Sequence, residues 1–201
     1  MSERQIANIA VEGDLDEVVL RRVLTSVDIE VDNVYGKRGK DHLRENIRRY
    51  NQAARHGDWV ILVDLNNDAE CPPPFINSWL PTRNPNLQLR IAVRAIESWL
   101  LADRKEIARF LRVPMQKIPM QPENEPNPKQ AFINIVRISK SKILREDIIP
   151  PPTSTASQGP GYTSRLTEFT MNYWKPGRAA HHSPSLKRSI NSLSRWKIGE
   201  H

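Results

Sequence analysis

Six side chains carry most of the chemistry this sequence offers: Glu12, Asp16, Asp64, Asn66, Asp68 and Glu97. Glu12 closes the apolar run from Ile6 to Val11, Asp64 closes the run from Val60 to Val63, and Glu97 follows the alternating stretch from Leu87 to Val93. Each stands near the place where a strand would end. Carboxylates brought together from several strand ends repel one another unless a cation lies between them. An all-oxygen set of this kind selects a hard divalent ion, Mg²⁺ or Mn²⁺. Asp16 follows Glu12 by four residues, so a helix beginning at once puts both on one face. Glu12 and Asp64 are the catalytic candidates, because a charge at the end of a buried strand is costly without a partner.

The elements that position these residues follow from hydrophobic periodicity. Trp59 to Asp64 reads as a strand buried on both faces, since Val60 to Val63 is unbroken. Before it, Ile6 to Val11 predicts a first strand, and Ile29 to Gly36 a second. Between them Leu15, Val19 and Val23 form a helical stripe, for which Asp14 and Glu17 serve as caps. A second helix is expected to open at Asp41, to place Leu43, Ile47, Tyr50 and Ala54 on one side, and to stop at a left-handed Gly57. Leu87 to Val93 predicts a fourth strand near an edge, with Gln88 and Arg90 on a wet face. Strands alternating with helices over short connections make a mostly parallel four-stranded sheet, Rossmann-like and flanked by helices. In such sheets ligands bind beyond the carboxyl ends of the strands.

Composition shifts at Pro114. Residues 1–113 read as the α/β core, and 114–201 as a helical, basic C-terminal extension packed on or beside it, with a helix from Lys129 to Ile143 and two more in the tail. Residues 1–70 have a net charge of −4, 71–149 of +6 and 150–201 of +5. An acidic front joined to a basic back suits a protein that holds cations at one place and a polyanion around it. The alternative is a solvated basic surface, and Lys187 and Arg188 read equally as the wet face of a helix. Trp59, Trp79 and Trp99 read as core, and His181-His182 as an exposed loop.

The single cysteine, Cys71, excludes an internal disulfide and a cysteine zinc cluster. No stretch has the apolar length of a membrane span and MSERQIANIA lacks the pattern of a secretory signal, so a cytoplasmic protein is expected. The Gly36 to Lys40 loop is too short for a P-loop. A flavodoxin-like nucleotide binder is the weaker reading, because no glycine-rich phosphate loop follows the first strand.

The runs Ile9-Ala10-Val11-Glu12-Gly13 and Val60-Ile61-Leu62-Val63-Asp64-Leu65-Asn66 resemble the Toprim domain of topoisomerases, primases and OLD-family nucleases. That domain has a glutamate after its first strand and Asp-x-Asp after its third. The Glu12 to Asp16 spacing is similar to the Glu-x-x-x-Asp of OLD-type nucleases. Glu97-Ser98-Trp99-Leu100-Leu101-Ala102-Asp103 and Ser183-Pro184-Ser185-Leu186 are similar to a family of bacterial Toprim-like proteins of unknown function. The resemblance implies metal-dependent phosphodiester cleavage, with Asp64, Asp16 and Asp68 holding Mg²⁺ or Mn²⁺, Glu12 as general base or further ligand, and Glu97 completing a second site. It further implies nucleic-acid contacts, for which Lys37, Arg38, Lys40, Lys175, Lys187 and Arg188 are the candidates, with Trp174 and Trp196 as stacking surfaces. It also implies an ATPase partner in anti-phage defence, and a homo-oligomer is compatible with it. Asn66 departs from the pattern by replacing the second aspartate, and favours the alternative of a catalytically inactive Toprim-like module that binds nucleic acid or docks on an ATPase.

Overall fold

The computed structural model describes residues 5–198. Its centre is β3 (Asp58–Asp64), whose five middle residues are all buried. β3 lies between β1 (Gln5–Val11) and β4 (Leu87–Ala92), and β2 (Ile29–Gly36) forms the far edge. All pairings are parallel, in the order β2-β1-β3-β4. The strand period of two then sorts the core. Val60 and Leu62 join one apolar cluster with Ile9 and Val11, while Ile61 and Val63 join Ala10 in the other.

The second cluster is covered by α2 (Lys40–Ala53) and α3 (Pro72–Trp79). The first is covered by α1 (Asp14–Thr25), α4 (Ile96–Leu101) and α5 (Arg104–Leu111), and it continues into α6 (Pro128–Arg137) and α7 (Lys142–Ile148). It also takes in α8 (Tyr162–Asn172), α9 (Pro176–Ala179) and α10 (Pro184–Ile198). Residues 114–201 therefore share a core with the sheet: α8 packs on α1 and α10 packs on β4. Among the described residues no helix is long and apolar enough to cross a membrane.

Several local expectations change. The Asp14 and Asp41 carboxylates do not cap their helices; Gly13 and Gly39 occupy the N-cap positions, and their carbonyls accept the Glu17 and Leu43 N–H groups at 3.2 Å each. Gly57 has no positive φ, because the Ala54, Arg55 and His56 N–H groups already satisfy the last carbonyls of α2. The left-handed glycines are Gly36 (φ 87°) and Gly39 (φ 86°). A side chain at Gly36 would meet the Val11 carbonyl at 2.3 Å, so only glycine lets β2 leave beside the end of β1. The helix expected from Lys129 to Ile143 is two helices. The Ser139 hydroxyl bonds the Leu111 carbonyl at 2.5 Å and Ser141 accepts the Leu144 N–H at 3.4 Å, so these serines draw the backbone out of the helix and start the next. Nor does β4 have a wet face. Gln88 is buried and accepts the Ser192 hydroxyl of α10 at 3.4 Å.

Candidate metal and phosphate pocket

Each acidic candidate is set in place by the backbone around it. Glu12 leaves β1 beside a loop that the Lys37 and Gly39 N–H groups tie back to the Val11 and Glu12 carbonyls, at 2.9 and 3.0 Å. Its Oε1 accepts the Asp64 N–H at 2.8 Å, which joins the ends of β1 and β3 directly. Asp64 Oδ1 accepts the Ile96 N–H at 3.0 Å, so this carboxylate also satisfies the first turn of α4. That turn presents Glu97, which is 4 % exposed. Asp16 lies in the first turn of α1, also buried.

Glu12, Asp16, Asp64 and Glu97 all line one pocket of about 530 Å³ beyond the carboxyl ends of β1, β3 and β4. Asn66 lines it too. It has a left-handed backbone (φ 51°), its N–H donates to the Arg94 carbonyl at 2.7 Å, and its own carbonyl accepts Arg94 Nη1 at 3.0 Å. Asp68 does not line the pocket but pairs with Lys40 at 2.5 Å. Lys40 also donates to the Asp64 carbonyl, and its Nζ lies 5.0 Å from the Phe75 ring centroid. Its charge is therefore spent on holding the end of β3.

The charges in this pocket are ill at ease. Burial pushes the Asp64 carboxyl well above its ordinary range, and the charges of Asp16, Glu97 and Glu12 push it further. Burial, followed by Glu12 and Glu97, pushes Asp16 up to about 7. Glu12 is raised as well, chiefly by burial, although the Asp64 N–H and Lys40 act against it.

Residues 114–201 supply the other wall. The Tyr162 hydroxyl donates to Glu97 Oε1 at 2.9 Å, and Lys129 Nζ stands 3.9 Å from the same oxygen and 5.5 Å from the Tyr162 ring centroid. Burial, with Glu97 beside it, keeps the Tyr162 phenol protonated. Tyr162 is delivered by Gly159 and Gly161, whose N–H groups bond the Ile148 and Asp147 carbonyls at 2.9 and 2.8 Å; a side chain at either would collide with that corner of α7. Tyr162, Lys129 and Arg94 do not stand out in the sequence as site residues. Only the Gly-Pro-Gly before an aromatic residue hints at the close approach that brings Tyr162 in.

The remaining cationic candidates lie elsewhere. Lys37 pairs with Asp14 at 2.7 Å and Glu17 at 2.9 Å. Arg38, Lys175, Lys187 and Arg188 are exposed and away from the pocket. Trp174 and Trp196 are 0 % and 5 % exposed, so they are core residues and offer no stacking face. Trp59, Trp79 and Trp99 are buried, as expected, and Cys71 is exposed.

The donor chemistry suits Mg²⁺ or Mn²⁺, because all the carboxylate and amide ligands are hard oxygens and four carboxylates meet with only Lys129 and Lys40 among the described residues to offset them. Among the described residues no three His, Cys, Asp or Glu side chains already form a group able to hold a metal. Mg²⁺ commonly takes one or two carboxylates and completes its shell with water and substrate phosphate, which is the kind of site this donor set fits. Comparison with protein-family models, with curated proteins and with solved structures finds nothing that matches the chain.

Proposed function

We propose that this protein is a divalent-metal-dependent nuclease, built on a Toprim-like core, that hydrolyses phosphodiester bonds of DNA or RNA. The observation that carries this reading is the meeting of Glu12, Asp16, Asp64 and Glu97, from three strand ends, in one pocket where their charges oppose one another. Asp64, Asp16 and Asn66 would hold Mg²⁺ or Mn²⁺, with Glu97 toward a second position. A metal bound there supplies polarisation of the scissile phosphate and a lowered pKa for water. Glu12 has a raised proton affinity and would take the proton of an attacking water at its Oε2, Oε1 being engaged by the Asp64 N–H. Lys129 and Arg94 line the same pocket and meet the phosphate's charge. Lys40 holds the Asp64 backbone in register. An ATPase partner and a role as effector of bacterial anti-phage defence follow from the resemblance alone.

Cleavage assays on DNA and on structured RNA, with Mg²⁺, Mn²⁺ or EDTA, test this reading. Wild type cleaves with metal only, and Glu12→Gln and Asp64→Asn lose the activity. A second reading, an inactive nucleic-acid-binding module, is favoured by Asn66 and by the lack of a ready three-ligand group among the described residues. Equal binding without cleavage in all three proteins would establish it in place of the first.

A further inference from the structure

Arg90, on β4, is a guanidinium set into the protein. Its Nη2 donates to Gln88 Oε1 at 2.7 Å, its Nε is buried without a hydrogen-bond partner, and among the described residues no carboxylate pairs with it. Burial, together with the nearby charge of Arg83, pushes its pKa down to about 10. Arg90 lines a groove of about 470 Å³ between the start of α3 and α10, shared with Arg188 and Ser189. A second groove of similar size is lined by Arg83, Arg195, Asn84 and Ser192. The two meet at Gln88, which lines the second and holds Arg90 of the first.

Neither lining contains an aspartate or glutamate, and Arg83, Arg188 and Arg195 are exposed with no ion pair among the described residues. Arg83 lies in the loop before β4, Arg90 on β4, and Arg188 and Arg195 on α10, seven residues or roughly 10 Å apart at helix rise, so the four are divided between the two grooves. One small anion cannot satisfy them, whereas a chain of phosphates can. Arg94 lies four residues beyond Arg90, two past the end of β4, and lines the carboxylate pocket.

We propose that Arg83, Arg90, Arg188 and Arg195 form a binding track for the phosphodiester backbone of a nucleic acid, leading along β4 to the carboxylate pocket. The track deepens the nuclease reading and rests on it for its purpose, but not for its test.

Binding of labelled single-stranded and duplex oligonucleotides is measured by fluorescence anisotropy in EDTA, on an Asp64→Asn background, across a salt series. The triple variant Arg83→Ala, Arg188→Ala, Arg195→Ala is compared with a triple of equal charge that lines neither groove, Lys117→Ala, Arg137→Ala, Lys140→Ala, all exposed. The track triple binds about tenfold or more weakly, and its slope of log affinity against log salt falls by about 2 to 3. The comparison triple stays within about twofold of the parent. Equal weakening in both triples, or in neither, overturns the track. Arg90→Met separates function from packing. It raises the melting temperature while weakening binding, because an unpaired buried charge is removed; a lower melting temperature with unchanged binding overturns Arg90's place. If inorganic phosphate gives an Arg90-dependent thermal shift but oligonucleotides do not bind, the site takes a small anion and the polymer track is wrong. Binding through the track without cleavage by the wild type would sink the nuclease reading and leave the track standing. Cleavage that is insensitive to the track triple would do the reverse.

Discussion

Asp64 and Asp103 are acidic residues of the same fold held in opposite ways. Asp103, 3 % exposed, accepts Arg178 Nε at 3.1 Å and Nη2 at 2.8 Å, and also the Lys175 N–H at 3.1 Å. Glu123 is treated similarly, its Oε1 taking the Ser183 hydroxyl and both the N–H and the hydroxyl of Ser185. Asp64 Oδ1 has one backbone donor and three other carboxylates close enough to raise its proton affinity. A carboxylate saturated with donors is explained by the structure it pins. A cluster starved of donors is not, and needs a proton or a cation from outside.

The largest effect that would sharpen this contrast is catalytic. With Mg²⁺, Glu12→Gln and Asp64→Asn should each lower the cleavage rate by about a thousandfold, close to 4 kcal/mol of transition-state stabilisation. Neither should melt lower than the wild type in EDTA, since each relieves repulsion. A variant that loses both activity and stability would place Asp64 with Asp103 as a structural carboxylate.

The next effect is on stability against pH. Asp16 titrates at its ordinary 3.8 when unfolded and at about 7 when folded. Between those values the folded chain keeps a proton that the unfolded chain has lost, so unfolding free energy falls as pH rises. The contribution is complete below about pH 4 and gone above about pH 7, on the order of 2–4 kcal/mol. Urea titrations in EDTA should show this slope, and Asp16→Asn or saturating Mg²⁺ should flatten it. A flat metal-free profile would break the contrast.

How much of this was legible follows the same division. Val60 to Val63 announces a central strand, and Glu12 and Asp64 are readable as strand-end carboxylates because strands end where the apolar pattern ends; Glu97 follows the fourth strand but sits in the first turn of α4. Tyr162 and Lys129 were not readable, since what brings them to Glu97 is tertiary: Gly159 and Gly161 packed on the end of α7. Gln88 and Arg90 read as a wet face because alternation alone cannot reveal that α10 covers them with its own polar Ser189 and Ser192. Lys40 and Lys37 read as free cations, and both are spent on neighbouring carboxylates.

The donor-saturated side of the contrast predicts a loss of stability alone. Asp103→Asn should cost about 2 kcal/mol, toward the low end for a buried pair because the Arg178 side chain is 43 % exposed. Chemical denaturation would measure it. Cleavage per folded molecule and metal affinity should not change, and a change in either would mean that the α9 contact reaches the pocket.

Tyr162→Phe tests the boundary between the two kinds of carboxylate and should have the smallest effect. Its hydroxyl is a buried donor to Glu97 in an otherwise donor-poor pocket, so its loss should cost about 1 kcal/mol in EDTA. The sign is fixed by what is left behind: a carboxylate with one hydrogen bond fewer and the same acidic neighbours. A divalent ion bound to Glu97 restores part of what the hydroxyl gave, so the deficit should shrink when denaturation is repeated in saturating Mg²⁺. A deficit of equal size with and without metal would assign Glu97 to the structural carboxylates, and would confine any metal to Glu12, Asp16 and Asp64.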